Sequence, residues 1–499
     1  MTTKATPPRP LRVSALLAPV LIALLAPSAS VAEGGAPGSS EVLAITHVNV
    51  VPMDAERVLE DQTVLVTKGT IFALGHAREV VIPPGAARVE GRGRYLMPGL
   101  ADLHVHLFSP DDLLAYVAAG VTTVANMDGS PAHLKWRDQV RAGALVGPTI
   151  FTAGHTIDGV PPLNEMFLTA ETAEAARAIV AEQKRAGYDM VKVYGTLRPE
   201  VYRAILQAGE DARIPVVGHV NRQVGALAVL KSSQALAAHL EDLLFARFDR
   251  PPSDAELVEF ADAIAASSLT VTPNLNTGPM SIAQIRDLGA VLSSSEARLL
   301  SPAAYSQWMP ANNRNERGAN GQRQVEMLEG VQGILRRLTR LLSSRGVRLV
   351  AGSDASAYGI PGSSLHQELQ ELVKAGLSPY EALLTATRNS GEFLAEKVAP
   401  LPRRGTVTMG SVADLVLLSA NPLQDIGNAA RVEGVWLRGR WLSATDLKAR
   451  ASAASTRFDE EKRRLDEIDA FLEAGDEPRA AKAGVGLGSD GSPWIAEWV

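Results

Sequence analysis

From Gly99 to about residue 400 the chain alternates short apolar runs with segments of helical period, and this alternation limits its fold more than any other feature. The runs at 96–103, 121–125, 149–153, 190–194, 215–218, 235–238, 269–273 and 347–351 are strand candidates. Eight parallel strands with intervening helices are what a closed (β/α)8 TIM barrel requires. The stretches between them carry amphipathic patterns, as at 172–186 and 325–344. In the second, Leu328, Val331, Leu335, Leu338 and Leu342 share one face, and Gly346 provides a C-terminal stop.

The flanks have a different texture. Residues 42–98 hold short apolar or alternating runs punctuated by Gly69, Gly75 and Gly91, and residues 405–443 return to the same pattern. The expected organisation is a barrel over 99–404 with a small β-sandwich domain assembled from 33–98 and 405–443. A charged helix over about 445–474 follows, with Phe458, Leu465, Ile468 and Leu472 as its apolar stripe, and then a Gly/Ser-rich tail in which Trp494 and Trp498 are docking candidates.

The first thirty-two residues read as a secretory leader: Lys4, Arg9 and Arg12, an apolar run of 13 residues over 14–26, then Ser30-Val31-Ala32 as a small-residue cleavage site. A spanning helix needs about 20 apolar residues, so no stable membrane anchor is expected once the leader is removed. Its removal takes the net charge from −6 to −9. Such a balance offers no nucleic-acid surface and suits a small-molecule substrate. The expected location is periplasmic or secreted, and homo-oligomer formation stays open. With no cysteine in the chain, disulfides, thiolate nucleophiles and thiolate metal ligands are excluded, so any metal is held by nitrogen and oxygen.

Candidate ligands fall at the C-terminal strand ends, where barrel enzymes keep their chemistry. The first strand closes on His104-Val105-His106; two residues apart on a strand, both imidazoles face one side and can reach one metal ion. Lys192 lies in strand four, His219 ends strand five, His239 ends strand six, and Asp354 follows strand eight in Gly352-Ser353-Asp354. A single histidine after an apolar strand is usually a satisfied core residue, and a lone Lys192 would read as a solvated strand end. Five ligand-type side chains plus a lysine do not share that explanation.

These motifs resemble the amidohydrolase superfamily, in its branch with two metal ions bridged by a carboxylated lysine. The resemblance runs over about 42–443 and rests on Pro98-Gly99-Leu100 with Asp102 and His104-x-His106, Val191-Lys192-Val193, His219, His239, Gly352-Ser353-Asp354, the segment 375–383 and Ala413-Asp414-Leu415-Val416. Prolidase-like and imidazolonepropionase-like members are the most similar in pattern. The resemblance implies that His104, His106 and Asp354 hold one divalent cation, that His219 and His239 hold the second, and that Lys192 bridges both as a CO2-derived carbamate. Nitrogen and oxygen ligands suit zinc, manganese, cobalt and iron alike, with zinc the default. It also implies a water shared by two cations as nucleophile, Asp354 as proton carrier, and an amide-type C–N bond in a peptide-like or acylated amino-acid substrate.

His155, Tyr194 and Arg222 are candidates for substrate contacts. His366 and Glu368 are expected to support the site or a helix start; His47, His76 and His133 carry no assigned role. The alternatives are a lactonase or phosphotriesterase using the same centre, and a non-catalytic binding protein. Two departures bear on specificity: His239 is followed by Leu240-Glu241-Asp242 rather than the Gly-Thr common in the family, and a segment over 280–324 is long enough to form a lid.

Overall fold

The computed structural model describes residues 42–310, 312–313, 315, 321–473, 486–487 and 493–494. The leader expected over 1–32 and Trp498 lie outside the described residues. Gly486–Leu487 and Pro493–Trp494 pair as a short antiparallel hairpin.

Both flanks of the chain enter one sheet. Strands β1 (Val42–Val50), β2 (Leu59–Thr67), β3 (Thr70–His76), β4 (Ala87–Glu90) and β5 (Tyr95–Pro98) come from the first flank. After the central body, β15 (Leu415–Leu418), β16 (Val432–Leu437) and β17 (Arg440–Ser443) come from the second. Their order is β17-β16-β15-β5-β1-β2-β3, with β4 alongside β1. The expected sandwich is thus a single hydrogen-bonded sheet. It curls enough for Thr70 to bridge Val412, and its alternating side chains Ile45, Val64, Val66, Ile71, Leu96, Leu415, Leu417 and Trp436 meet in one core.

The run at 96–103 is two strands, not one. Pro98 ends β5 in the flanking sheet, and β6 (Leu100–Val105) begins the central body. Gly99 lies at the junction, where a Cβ would come within 2.2 Å of the Thr122 side chain, so only glycine lets the chain pass from one sheet to the other.

The central body is parallel. Strands β6, β7 (Val121–Asn126) and β8 (Thr149–Thr152) form one sheet. Strands β9 (Ile157–Asp158), β10 (Leu168–Thr169), β11 (Val191–Val193), β12 (Val216–Gly218), β13 (Leu236–Ala237) and β14 (Thr270–Val271) form another, in the order β10-β9-β11-β12-β13-β14. Isolated parallel bridges join them: Ala153 with Met190, Val271 with Leu349, and Val105 with Ala355. No strand is assigned over 347–351, yet Val350 donates to Val271 O at 3.0 Å and Leu103 to Ala351 O at 2.9 Å. The pleat divides the apolar side chains between two cores. Leu103, Ala125, Phe151, Met190, Val217, Leu236 and Val350 pack together on one face. Their neighbours Val124, Ile150, Val191, Val216 and Leu349 pack on the other, against the helices.

The helices form where capping chemistry directs. Thr172 caps Ala173–Ala186 by accepting from Ala175 N, and Gly187 ends that helix in the left-handed region. Ser253 and Ser378 open their helices with reciprocal boxes to Glu256 and Glu381. The patterned helix at 325–344 extends over Gly321–Ser344. Between β14 and that helix, Thr277–Leu292, Glu296–Leu299 and Pro302–Trp308 pack around Met280, Ala297, Leu300, Ala304, Trp308 and Ile360. The charged helix spans Ala444–Glu473, with Phe458 buried and Leu465 half-buried. Among the described residues no helix is long and apolar enough to cross a membrane.

Candidate metal centre

Lys192 lies within β11 and His104 within β6, while His106, His219 and His239 follow the ends of β6, β12 and β13, and Asp354 follows the run at 347–351. His104 is inside β6 and His106 just beyond it, past a register shift between Asp102 and Val105. Both still turn to the same side: His104 Nε2 is 3.4 Å and His106 Nε2 3.2 Å from Asp354 Oδ1. His239 Nε2 is 3.9 Å from Asp354 Oδ2, and Lys192 Nζ is 3.5 Å from His104 Nε2. Ligand atoms of His104, His239 and Asp354 all lie within 4.8 Å of one another. His219 joins through its ring, whose centroid is 4.7 Å from that of His239.

The hydrogen bonds around the rings determine which nitrogen is free to coordinate. His104 Nδ1 faces Ala238 O at 3.2 Å and must donate to it, which leaves the Nε2 lone pair toward Asp354. His219 Nδ1 lies 2.6 Å from Asp242 Oδ2, which engages that nitrogen and leaves Nε2 as the one available to coordinate. Burial pushes His239 down to about 3 and His104 well below the ordinary imidazole value, so both rings are neutral. For Asp354, burial works against ionisation, but the surrounding imidazoles outweigh it and hold the carboxyl well below the usual range. Its Oδ1 is buried without a hydrogen bond, as is His239 Nδ1. A carboxylate oxygen 3.4 Å from an imidazole lone pair is repulsive unless a cation lies between them. The donor set therefore fits a divalent cation. Burial also lowers Lys192 to about 8, which makes its neutral amine accessible near neutral pH.

Several residues that the sequence left without a role build the frame. Asp102, fully buried, accepts from Ser353 N at 2.9 Å and Ser353 Oγ at 2.5 Å, which ties the first strand to the turn carrying Asp354. Asp354 itself is in the left-handed region at φ 52°, a conformation its neighbours must enforce. They do so by hydrogen bonds: Asn274 Nδ2 to Gly352 O at 2.8 Å, Asn276 Nδ2 to Ser353 O at 2.7 Å, and Trp308 Nε1 to Ser356 O at 2.7 Å. A Cβ on Gly352 would come within 2.6 Å of His104 Cβ and Thr272 Cγ2, so the close approach of these strands requires glycine.

Glu368 supports the frame as expected, its Oε2 accepting from Asn276 N at 2.8 Å; His366 Nε2 donates to Ala119 O at 2.8 Å. His133 does have a structural part. Its Nδ1 accepts from Ser130 N at 2.8 Å, and its Nε2 donates to Leu107 O at 2.7 Å, beside His106.

The candidate substrate contacts separate. Tyr194 stacks on His219 with centroids 4.0 Å apart, so it borders the cluster. His155 is half-buried, 3.9 Å from Asp128, and Arg222 is exposed, its guanidinium over the Phe245 ring at 5.3 Å. Neither has a contact with the ligands.

The chain is 22% identical over 410 residues to the ochratoxinase of Aspergillus niger, covering 69% of this chain and 75% of that one. A match to urease subunit alpha 2 of Streptomyces coelicolor is 33% identical over 91 residues, but spans only 16% of the urease subunit's length. Among solved structures, a Xaa-Pro dipeptidase with bound methionine superposes with a TM-score of 0.64 at 17% identity, over 81% of this chain and all of that one. Bottromycin amidohydrolase gives 0.64 at 23%, over 84% and 91%. The model of the amidohydrolase family matches residues 95–442, the segment that contains every candidate ligand. With most of its length matched, the chain belongs to the amidohydrolase family.

Proposed function

We propose that this chain is an exported, metal-dependent hydrolase that cleaves an amide C–N bond in a small peptide-like or acylated amino-acid substrate. The observation that carries the reading is the convergence of His104 and His106 from the first strand, Lys192 from β11, His239 after β13 and Asp354 after the run at 347–351. The dipeptidase and amidohydrolase named among the similar structures support an amide as substrate. On this reading the two parallel sheets and their bridges are one eight-stranded (β/α)8 barrel over 99–404, and the leader over 1–32 directs export.

His104, His106 and Asp354 would hold one cation, His219 and His239 a second, and Lys192, as its carbamate, would bridge them. An uncharged amine can add CO2 while an ammonium cannot, and the burial that lowers Lys192 to about 8 favours the reactive form. Zinc is the default among ions suited to these donors. When bound, the cations supply Lewis-acid polarisation of the scissile carbonyl and make water a stronger acid. Asp242 holds the His219 ring in its ligating tautomer. Asp354, ionised and fixed by the Asp102–Ser353 bonds, takes a proton from the attacking water and returns it to the leaving nitrogen. Tyr194, on the rim beside His219, is positioned to orient a substrate carbonyl.

The test is turnover of a panel of N-acyl amino acids, dipeptides, lactones and phosphotriesters by the metal-loaded protein and an Asp354→Asn variant. Amide turnover that falls by about 10²- to 10⁴-fold in the variant is expected. Hydrolysis of lactones or phosphotriesters alone would move the chain to that chemistry, and binding without any turnover would make it a binding protein.

A further inference from the structure

The loop between β9 and β10 places a concentration of apolar surface beside the metal-ligand cluster. Of the eleven large apolar side chains exposed among the described residues, four fall within nine positions: Val160, Leu163, Met166 and Leu168, with Leu163 67% and Met166 52% exposed. Scattered exposed apolar residues need no explanation, but a contiguous patch marks a surface that something covers.

The patch is held in place by its backbone. Buried Asp158 accepts from Leu163 N at 2.9 Å through one oxygen, and from Thr196 N and Thr196 Oγ1 at 2.8 Å through the other. Asn164 Oδ1 accepts from Met166 N at 3.0 Å, and Leu168 N donates to Thr156 O at 2.9 Å. The anchor at Thr196 matters because it follows β11, the strand that carries Lys192; the loop therefore stands at the same end of the parallel body as the ligands. From its inner side an aromatic path leads to the cluster. Phe167 lies 4.8 Å from Tyr194 between centroids, Tyr194 4.0 Å from His219, and His219 4.7 Å from His239.

This continuity says what covers the patch. The path runs toward the exposed loop residues: a Cβ on Gly195, next to Tyr194, would lie 3.5 Å from Leu163 Cδ1, and Met166 precedes Phe167 in the chain. We propose that loop 159–168 is an apolar subsite, formed by Leu163 and Met166 over Phe167, for a large aryl or alkyl group on one side of the scissile amide. The inference rests on the amide-hydrolase reading of the metal centre and names its substrate class: amides with a bulky apolar flank rather than small polar dipeptides.

Because Leu163 and Met166 are exposed, a Leu163→Ser/Met166→Ser double variant removes the apolar surface without opening a core cavity. The metal-loaded protein and this variant are compared on N-(2-naphthoyl)glycine and N-acetyl-2-naphthylalanine, each against N-acetylglycine. In the unsubstituted protein kcat/KM favours at least one naphthyl compound, and the double substitution lowers that preference about tenfold or more. The Kd of both naphthyl compounds, read from their fluorescence, separates this inference from the one beneath it. If no amide is hydrolysed but naphthyl binding weakens in the variant, the subsite stands and the hydrolase reading falls. Unchanged preference together with unchanged Kd overturns the subsite. So does binding to phosphatidylcholine vesicles that the substitutions abolish while leaving both ratios alone, which would assign the patch to a lipid surface.

Discussion

At the scale of single residues, the candidate ligands are legible in the sequence and their supports are not. His104, His106, Lys192, His219, His239 and Asp354 can be read because each follows or occupies an apolar run, and strand ends are where a parallel body gathers its chemistry. Asp242 cannot be read this way. It lies on a helix turn after His239 and serves His219, so only the tertiary approach at 2.6 Å reveals it. An Asp242→Asn variant should lower metal affinity or activity 10- to 100-fold with little change in thermal stability, measured by metal titration beside a melting curve. Asp112 is equally hidden. It accepts from Phe108 N at 3.1 Å and Ser109 N at 3.0 Å, and burial raises it to about 6 from an ordinary 3.8. The folded state therefore binds this proton more tightly than the unfolded chain, and the resulting stability, up to about 3 kcal/mol, is full below pH 3.8 and lost as pH rises through 6. Denaturation midpoints across pH 4–7 should show an Asp112→Asn variant gaining on the parent as pH rises; parallel profiles would contradict this.

At the scale of elements, periodicity locates helices well because a 3.6-residue stripe and a serine or threonine cap act locally. Strand ends are harder. The run 96–103 is apolar throughout, and nothing in its hydrophobicity reveals that Gly99 divides two sheets; the contact with Thr122 that forbids a side chain there is a long-range fact. The segment 280–324 is long enough in sequence to form a lid, and its described part braces the turn after Asp354 through Trp308. A Trp308→Phe variant keeps the ring in the Met280, Leu300, Ile360 cluster and removes one buried hydrogen bond, costing about 1–3 kcal/mol. Because the bond is to Ser356, kcat should fall more than KM rises; an unchanged kcat with a lowered melting point would mean that Trp308 only packs.

The Ala444–Glu473 helix begins where the family match ends, and it grips that brace. Phe458 is buried, Lys462 Nζ donates to Ala297 O at 3.0 Å, Tyr305 donates to Asp466 at 2.8 Å, and Arg457 pairs with Asp111 at 2.6 Å. Emptying the Phe458 site by a Phe458→Ala substitution should cost about 3–5 kcal/mol. Limited proteolysis should then cut first in the braced segment near residue 300. First cuts elsewhere would separate the helix from the brace.

At the scale of the whole molecule, the two flanking segments close into one sheet while the parallel body between them brings distant strand ends to one point. His104 and Asp354 are 250 residues apart in sequence and 3.4 Å apart in space. A centre of this kind should fill in proportion to its bridging group. The most direct measurement is elemental mass spectrometry of metal per chain, on protein prepared with bicarbonate, beside a Lys192→Ala variant. Close to two equivalents, falling in the variant, is the expected result. One equivalent unchanged by the substitution, or none in either protein, would contradict a lysine-bridged pair and the hydrolytic chemistry built on it.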